Sequence, residues 1–183
     1  MKLTKDWLNN FIDITTKKWV GIDINQNKFG WQMQCGTGWL PGYSINKINE
    51  IEEAISWRLP QDVKCLMSTT SGLSKPQINI KPSSNELQQF EYRWRLNLEY
   101  MTKKETWYLN FNNKDVYSTI KKEEIVKNFD ENNYFFLPVY SHRCIACDKN
   151  DLDSSIVLSI YGDDIVVYGI NLKDYLEKEF MRV

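Results

Sequence analysis

Apolar residues recur at three- and four-residue intervals in some stretches of the chain and at two-residue or unbroken spacing in others, which predicts helices and strands in mixed order. Near the start, Leu3, Trp7, Leu8, Phe11 and Ile12 share a helical face, and Thr4 is placed to cap its first turn. Ile48, Ile51, Ala54 and Ile55 form a second stripe, with Glu50, Glu52 and Glu53 expected to face water. A third helix restarts at Pro60, where a first turn tolerates proline; Val63, Leu66, Met67 and Thr70 share its face, and Gly72 suits its C-terminal stop. The longest predicted helix runs from Ser84 to about Met101. Ser83 and Glu86 have capping-box spacing there, Leu87, Phe90, Trp94, Leu98 and Met101 make the stripe, and Glu91 with Arg95 adds an i,i+4 pair.

The remaining segments read as strands and turns. Trp19 to Ser44 is rich in glycine, holds three tryptophans, and predicts one or two short strands. Pro76 and Pro82 bracket a short extended piece, "QINI". "TWYLNF" at 106–111 is a strand by composition, "NNKD" a turn, and "YSTIKKEEIVKNF" returns to helical spacing. The last fifty residues carry the strongest pattern: strands "YFFLPVY", "SSIVLSIY" and "DIVVYGI", the last two joined by a tight Gly162-Asp163 turn. A closing helix follows, with Asn171 as cap and Leu172, Tyr175, Leu176 and Phe180 on one face. The runs "IVL" and "IVV" are apolar on both faces, so these strands should lie centrally under helices. The expected class is α+β: a central mixed or antiparallel β-sheet covered by helices, with a C-terminal hairpin before the closing helix.

Composition adds limits more than chemistry. The 183 residues allow one domain with a substantial core, and Lys plus Arg number 23 against 24 for Asp plus Glu. Only isolated basic pairs occur, so the basic stripe of a nucleic-acid binder is missing and no direct nucleic-acid partner is expected. No run approaches the ~18 apolar residues of a membrane span, and the N-terminus lacks the apolar core of a signal peptide. The expected location is the cytoplasm, where Cys35, Cys65, Cys144 and Cys147 stay reduced. Seven Trp, ten Tyr and eight Phe exceed ordinary needs. Most should be core, but an excess also suits a binding surface.

The stretch "LPVYSHRCIAC" holds the only histidine, His142, beside Arg143, Cys144 and Cys147. Three zinc ligands could come from His142, Cys144 and Cys147, with Asp148 or Cys65 as a fourth. Against that, a structural zinc site normally has two such hooks, and only one Cys-x-x-Cys is present. A zinc deaminase needs a His-x-Glu element upstream, which is missing. A redox pair would open a helix, whereas this one is expected to trail a strand into the polar loop "DKNDLD". Any Ser–His or Cys–His nucleophile would have to use His142, and no Gly-x-Ser-x-Gly elbow exists. "GTGW" is not a phosphate loop. Asp163–Asp164 fits a hairpin turn and Asp151 with Asp153 a solvated loop that lacks calcium-loop register. No catalytic residue, cofactor or metal is therefore expected; a structural histidine at a strand end is the preferred reading.

Two stretches carry a family resemblance. "IEEAISWRLPQDVKCLMSTTSGL" resembles the N-terminal signature of the SUKH superfamily, through Glu52 or Glu53, Leu59, Pro60, Asp62, Leu66 and Gly72. "FFLPVYSHRCI" with "SSIVLSIYGDDIVVYGINLKDYLEKEF" is similar to the C-terminal half of bacterial members. The match covers roughly residues 45 to 180; Gly72 is followed here by Leu-Ser-Lys, and the Trp-rich segment 19–44 has no part in the signature. The resemblance implies one SUKH-like domain over residues 1–183, with core 45–180 and a Trp-rich segment 1–44. It implies a non-enzymatic immunity protein that binds and neutralises a bacterial protein toxin, often a nuclease. The alternatives are a regulatory or scaffold protein of the same fold, as in fungal cell-wall signalling, or a small metal- or thiol-dependent protein using His142, Cys144 and Cys147. By residue type, the binding candidates are Tyr140, His142, Arg143, Trp39, Asp163 and Asp164, while Leu59, Pro60, Asp62 and Gly72 are structural signature positions.

Overall fold

The computed structural model describes residues 3–81, 88–96, 134–140, 142–153, 155–161 and 164–181. Helix α1 spans Lys5–Lys18, and its first turn is closed by Thr4, whose hydroxyl accepts from the Trp7 amide at 3.3 Å. Leu8, Phe11 and Thr15 are its buried residues. Strands β1 (Gly30–Gln32) and β2 (Trp39–Pro41) follow in the glycine-rich segment, where one or two short strands are expected. Helix α2 covers Ile45–Ile55 with Ser44 as cap and ends at Ser56 in the left-handed conformation. Helix α3 covers Gln61–Thr69 and runs straight into β3, Thr70–Leu73. Gly72 is therefore a strand residue and not the helix stop that the spacing predicts.

Strand β4 (Gln77–Lys81) is the extended piece between the prolines. The long helix predicted from Ser84 is corrected next: Gln88–Tyr92 is strand β5, antiparallel to β4 with Lys81 opposite Gln88. The chain after it stays extended, because the amides of Leu73 and Leu96 bond to the carbonyls of Trp94 and Ser71 at 3.1 and 3.0 Å. The expected strand at 106–111, the turn after it and the helix through 117–129 lie outside the described residues, as do residues 97–101 of the long predicted helix. At the C-terminal end, β6 (Tyr134–Tyr140), β7 (Arg143–Asp148), β8 (Ser155–Tyr161) and β9 (Asp164–Gly169) form a four-stranded antiparallel sheet in that order. Helix α4, Leu172–Phe180, closes the chain on the cap of Asn171, whose side chain accepts from the Asp174 amide at 2.9 Å.

The class is α+β with antiparallel sheets, a C-terminal hairpin and a closing helix. Among the described residues, strand pairings give three sheets, β1-β4-β5, β2-β3 and β6-β7-β8-β9. The last two are stitched together by the strip Trp94–Leu96: Gly72 pairs with Arg95 on one side, and the Arg95 amide bonds to the Val139 carbonyl at 3.2 Å on the other.

Side chains of the C-terminal sheet alternate between two apolar clusters, as a period of two requires. Leu137, Val139, Ile145, Cys147 and Val157 face the main core with α1, α3 and α4. Cys144, Ala146, Ile156, Leu158, Ile160 and Ile165 form the other cluster. Strand β8 is buried on both faces, as "IVL" predicts. Strand β9 is not: Val166 is 45% exposed, so "IVV" belongs to a partly open strand. Segment 3–44 contributes Leu3, Leu8, Phe11, Trp19 and Met33 to the main core rather than lying outside it.

Candidate functional site

The stretch around His142 is taken apart by its own secondary structure. Residues 143–148 are strand β7 itself, flanked by β6 and β8, and not a tail leaving a strand. An odd separation along a strand sends side chains to opposite faces, so Cys144 and Cys147 enter different clusters. Both are buried, and burial raises both thiols well above their ordinary range. Such thiols are poor nucleophiles and poor metal ligands. Among the described residues no group of three His, Cys, Asp or Glu side chains could hold a metal ion.

His142 stays half-buried at the turn between β6 and β7. Its ring meets Tyr161 edge-on with centroids 6.1 Å apart, and its carbonyl accepts from the Ile160 amide at 2.8 Å. Burial first, and the Arg143 charge second, lower the imidazole to about 4. It is neutral at pH 7 and binds protons weakly. Asp164 is exposed and pairs across the hairpin with Tyr161, so His142, Tyr161 and Asp164 share one end of the sheet. Asp163 lies outside the described residues.

The other residues chosen by type point inward. A register shift in β6 between Pro138 and Tyr140 re-aims Tyr140, which would otherwise follow Phe136 and Pro138 onto the second face. It joins the main core, and Trp31 packs edge-on against it at 5.2 Å. Trp39 is not a surface anchor either. Its indole donates to Thr15 at 2.9 Å, and its ring sits among Trp19, Trp94 and Phe180 at 5.1–5.6 Å.

Arg143 is held from three sides: Nη1 donates to the Ser159 hydroxyl at 2.6 Å, the guanidinium lies 3.7 Å over the Tyr168 ring, and Nε is 3.6 Å from the Glu179 carboxylate. Burial raises Glu179, with Arg143 and Tyr168 acting in the opposite sense. This cluster ties β7, β8 and β9 to α4. Sequence reasoning missed Glu179, Tyr168 and Ser159; their only advance signal was a lone arginine inside an apolar strand.

The signature positions form a second buried polar centre. Glu52, expected to face water, turns inward: its carboxylate accepts from the Leu59 amide at 2.6 Å and pairs with Lys64 at 2.8 Å. Leu59 and Pro60 are buried. Asp62, only 4% exposed, accepts from the Ser155 hydroxyl at 2.9 Å and from the Val63 amide at 2.8 Å. Burial outweighs those bonds and raises its carboxyl from 3.8 to about 6. Gly72 has φ +149°, and a Cβ there would stand 2.8 Å from the Trp94 carbonyl oxygen. These residues serve the fold: Leu59, Pro60, Asp62 and Gly72 are buried, and the Glu52 carboxylate, 15% exposed, is paired with Lys64.

No family model, curated protein or solved structure matches the chain. Among the described residues no helix is long and apolar enough to cross a membrane.

Proposed function

We propose that this chain is a non-enzymatic protein-binding module of the SUKH type, an immunity protein that binds and neutralises a protein toxin in the bacterial cytoplasm. One observation carries this reading. The two stretches on which the resemblance rests meet in space: Asp62 accepts from Ser155 at 2.9 Å, and beside that contact the Gln61 amide donates to the carbonyl of Leu152, just ahead of the second stretch, at 2.6 Å. Signature residues that fold together as a unit fit a shared scaffold better than they fit two accidental matches. The fate of the chemistry-bearing residues supports the same reading, because both strand thiols are sealed in separate clusters and Arg143 is occupied inside the fold. A toxin would be blocked by surface complementarity, with a few apolar anchors inside a polar rim.

The test is the neighbouring gene, expected to encode a large secreted protein ending in a toxin domain, and co-expression of that domain with this chain. Restored growth and a stoichiometric complex on size exclusion are the expected results. Unrelieved toxicity with no complex overturns the reading.

A further inference from the structure

Strand β9 turns part of its backbone away from the sheet it belongs to. The Ile160 amide donates to the His142 carbonyl at 2.8 Å, so the main-chain groups of Ile160 face β7. Along an antiparallel strand these groups alternate between the two neighbours. Ser159 and Tyr161 therefore turn theirs to β9, where they stand opposite Val166 and Asp164. Ile165 and Val167 must then point their amides and carbonyls away from β8. Among the described residues β9 is the last strand of its sheet, and no strand pairs with that side.

Native sheets blunt such edges with lysines, prolines or bulges. Here the blunting begins only at Tyr168. Leu158 and Val157 face Val167 and Gly169, which leaves Tyr168 as an extra residue. Lys178 of α4 donates to the Tyr168 carbonyl at 3.1 Å, and the Ile170 amide is held by the Asp174 carboxylate at 3.0 Å. Residues 164–167 carry none of these devices. Val166, in the middle of the open stretch, is 45% exposed.

That stretch is complementary to itself. An antiparallel copy related by a twofold axis at Val166 sets each Ile165 opposite a Val167, and such a pair exchanges both of its main-chain hydrogen bonds. Val166 meets Val166 of the second copy in a non-hydrogen-bonded pair, where side chains stand closest. Asp164 falls opposite Tyr168 of the second copy, whose carbonyl carries the Lys178 ammonium, so a carboxylate approaches a cation at each end. On the other face, Ile165 and Val167 belong to or pack on the second apolar cluster, which continues across the axis. Shifting the axis to Ile165 would instead set the two Asp164 carboxylates diagonally across the ladder, as repelling neighbours. A foreign strand could use the same backbone groups, but valine, carboxylate and ammonium are placed to meet their own copies.

We propose that β9 pairs antiparallel with β9 of a second copy of this chain, joining two four-stranded sheets into one continuous sheet. The pairing does not depend on the toxin reading. The contact is small, so the association should be reversible and concentration-dependent. Sedimentation velocity of the full chain from ~1 µM to ~1 mM should show monomer passing to dimer. Amide exchange, followed residue by residue at both ends of that range, should show Ile165 and Val167 gaining at least ~10-fold protection. Val166, already bonded to β8, should change little. Val166→Lys places two ammonium groups at the axis and should raise the dissociation constant at least ~10-fold while leaving the urea midpoint of the monomer in place. A monomer at every concentration overturns the proposal, and so does a dimer in which Ile165 and Val167 exchange as fast as in the monomer. Parent-like dimerisation of Val166→Lys overturns it as well.

Discussion

Ser155, the first residue of β8, donates a 2.9 Å hydrogen bond to the carboxylate of Asp62 in the first turn of α3, joining positions 93 residues apart. An acid in a helix's first turn gains roughly 0.3–1 kcal/mol from the helix dipole. Burial outweighs that, since the carboxyl is still raised to about 6. Removing one donor from a buried carboxylate costs ~1–3 kcal/mol. Ser155→Ala should lower unfolding stability by that amount at pH 7, and urea denaturation measures it.

The same carboxylate and His142 set opposing pH dependences. The raised Asp62 binds its proton more tightly folded than unfolded. Its stabilising contribution is complete below 3.8 and is lost as pH rises through about 6. His142 is lowered from 6.5 to about 4, so its contribution is present above 6.5 and is lost as pH falls through about 4. Each spans about two decades, worth up to ~3 kcal/mol for Asp62, and less for the half-buried His142 because solvent screens it. Between pH 4 and 6 the two largely offset. Relative to the parent, His142→Gln should show stability falling more steeply as pH rises through this window, and Asp62→Asn the reverse. Urea midpoints at half-unit pH intervals separate the two slopes, and parallel curves for all three proteins would refute both assignments.

Gly72 should tolerate no side chain. Its φ of +149° disfavours any other residue, and the atom a Cβ would strike, at 2.8 Å, is the Trp94 carbonyl oxygen that accepts from Leu73. Moving that oxygen breaks the join between β3 and the Trp94–Leu96 strip. Gly30 has a positive φ as well, but nothing lies within 4 Å of its added Cβ. Gly30→Ala should cost ~1–2 kcal/mol from backbone strain alone. Gly72→Ala should cost clearly more, read as the difference in their thermal midpoints.

These positions show what the sequence could and could not convey. The caps at Thr4 and Asn171 act over three residues, and α1 and α4 were legible from them together with the apolar stripes. The helix expected over 84–101 fails at residues 88–96, because helical spacing says nothing of a strand partner. Gln88–Tyr92 follows β4 closely enough to pair with it, and that pairing decided the conformation. Gly72 looked like a helix stop for the same reason: the carbonyl that requires a glycine comes from Trp94. At the candidate site, Cys-x-x-Cys suggested convergence only while its backbone was assumed to be a loop. Once 143–148 is a strand, an odd separation divides the sulfurs between two faces. Tyr140 was unreadable for a subtler reason, since the shift beyond Pro138 reverses the face that simple alternation assigns.

Divergent burial of the thiols has a direct chemical readout. Cys35 is exposed, Cys65 half-buried, and Cys144 and Cys147 buried. With a disulfide-exchange reagent at pH 8, the folded protein should release one equivalent quickly from Cys35 and a second slowly from Cys65. The last two should appear only on unfolding. Rapid reaction of Cys144 or Cys147, or stoichiometric zinc that is lost in Cys147→Ala, would contradict the two-faced arrangement.

Arg143 and Glu179 invite the sharpest mutational test, because both side chains are nearly withdrawn from water, at 13% and 5% exposure. Arg143→Ala removes the cation facing Glu179, the donor to Ser159 and the group stacked on Tyr168 in one step. A buried charge left alone typically costs 3–5 kcal/mol. Replacing the pair together, Arg143→Met with Glu179→Leu, restores apolar contact and leaves no orphaned charge, so the double variant should be more stable than Arg143→Ala. Arg143→Lys should fall between them, since an ammonium can face the carboxylate but cannot lie flat on the Tyr168 ring. Equilibrium unfolding of the three variants orders these effects. If Arg143→Ala lost less than ~1 kcal/mol, the pair would behave as a solvated surface contact, and α4 would be held by its apolar face through Leu172, Tyr175, Leu176 and Phe180 alone.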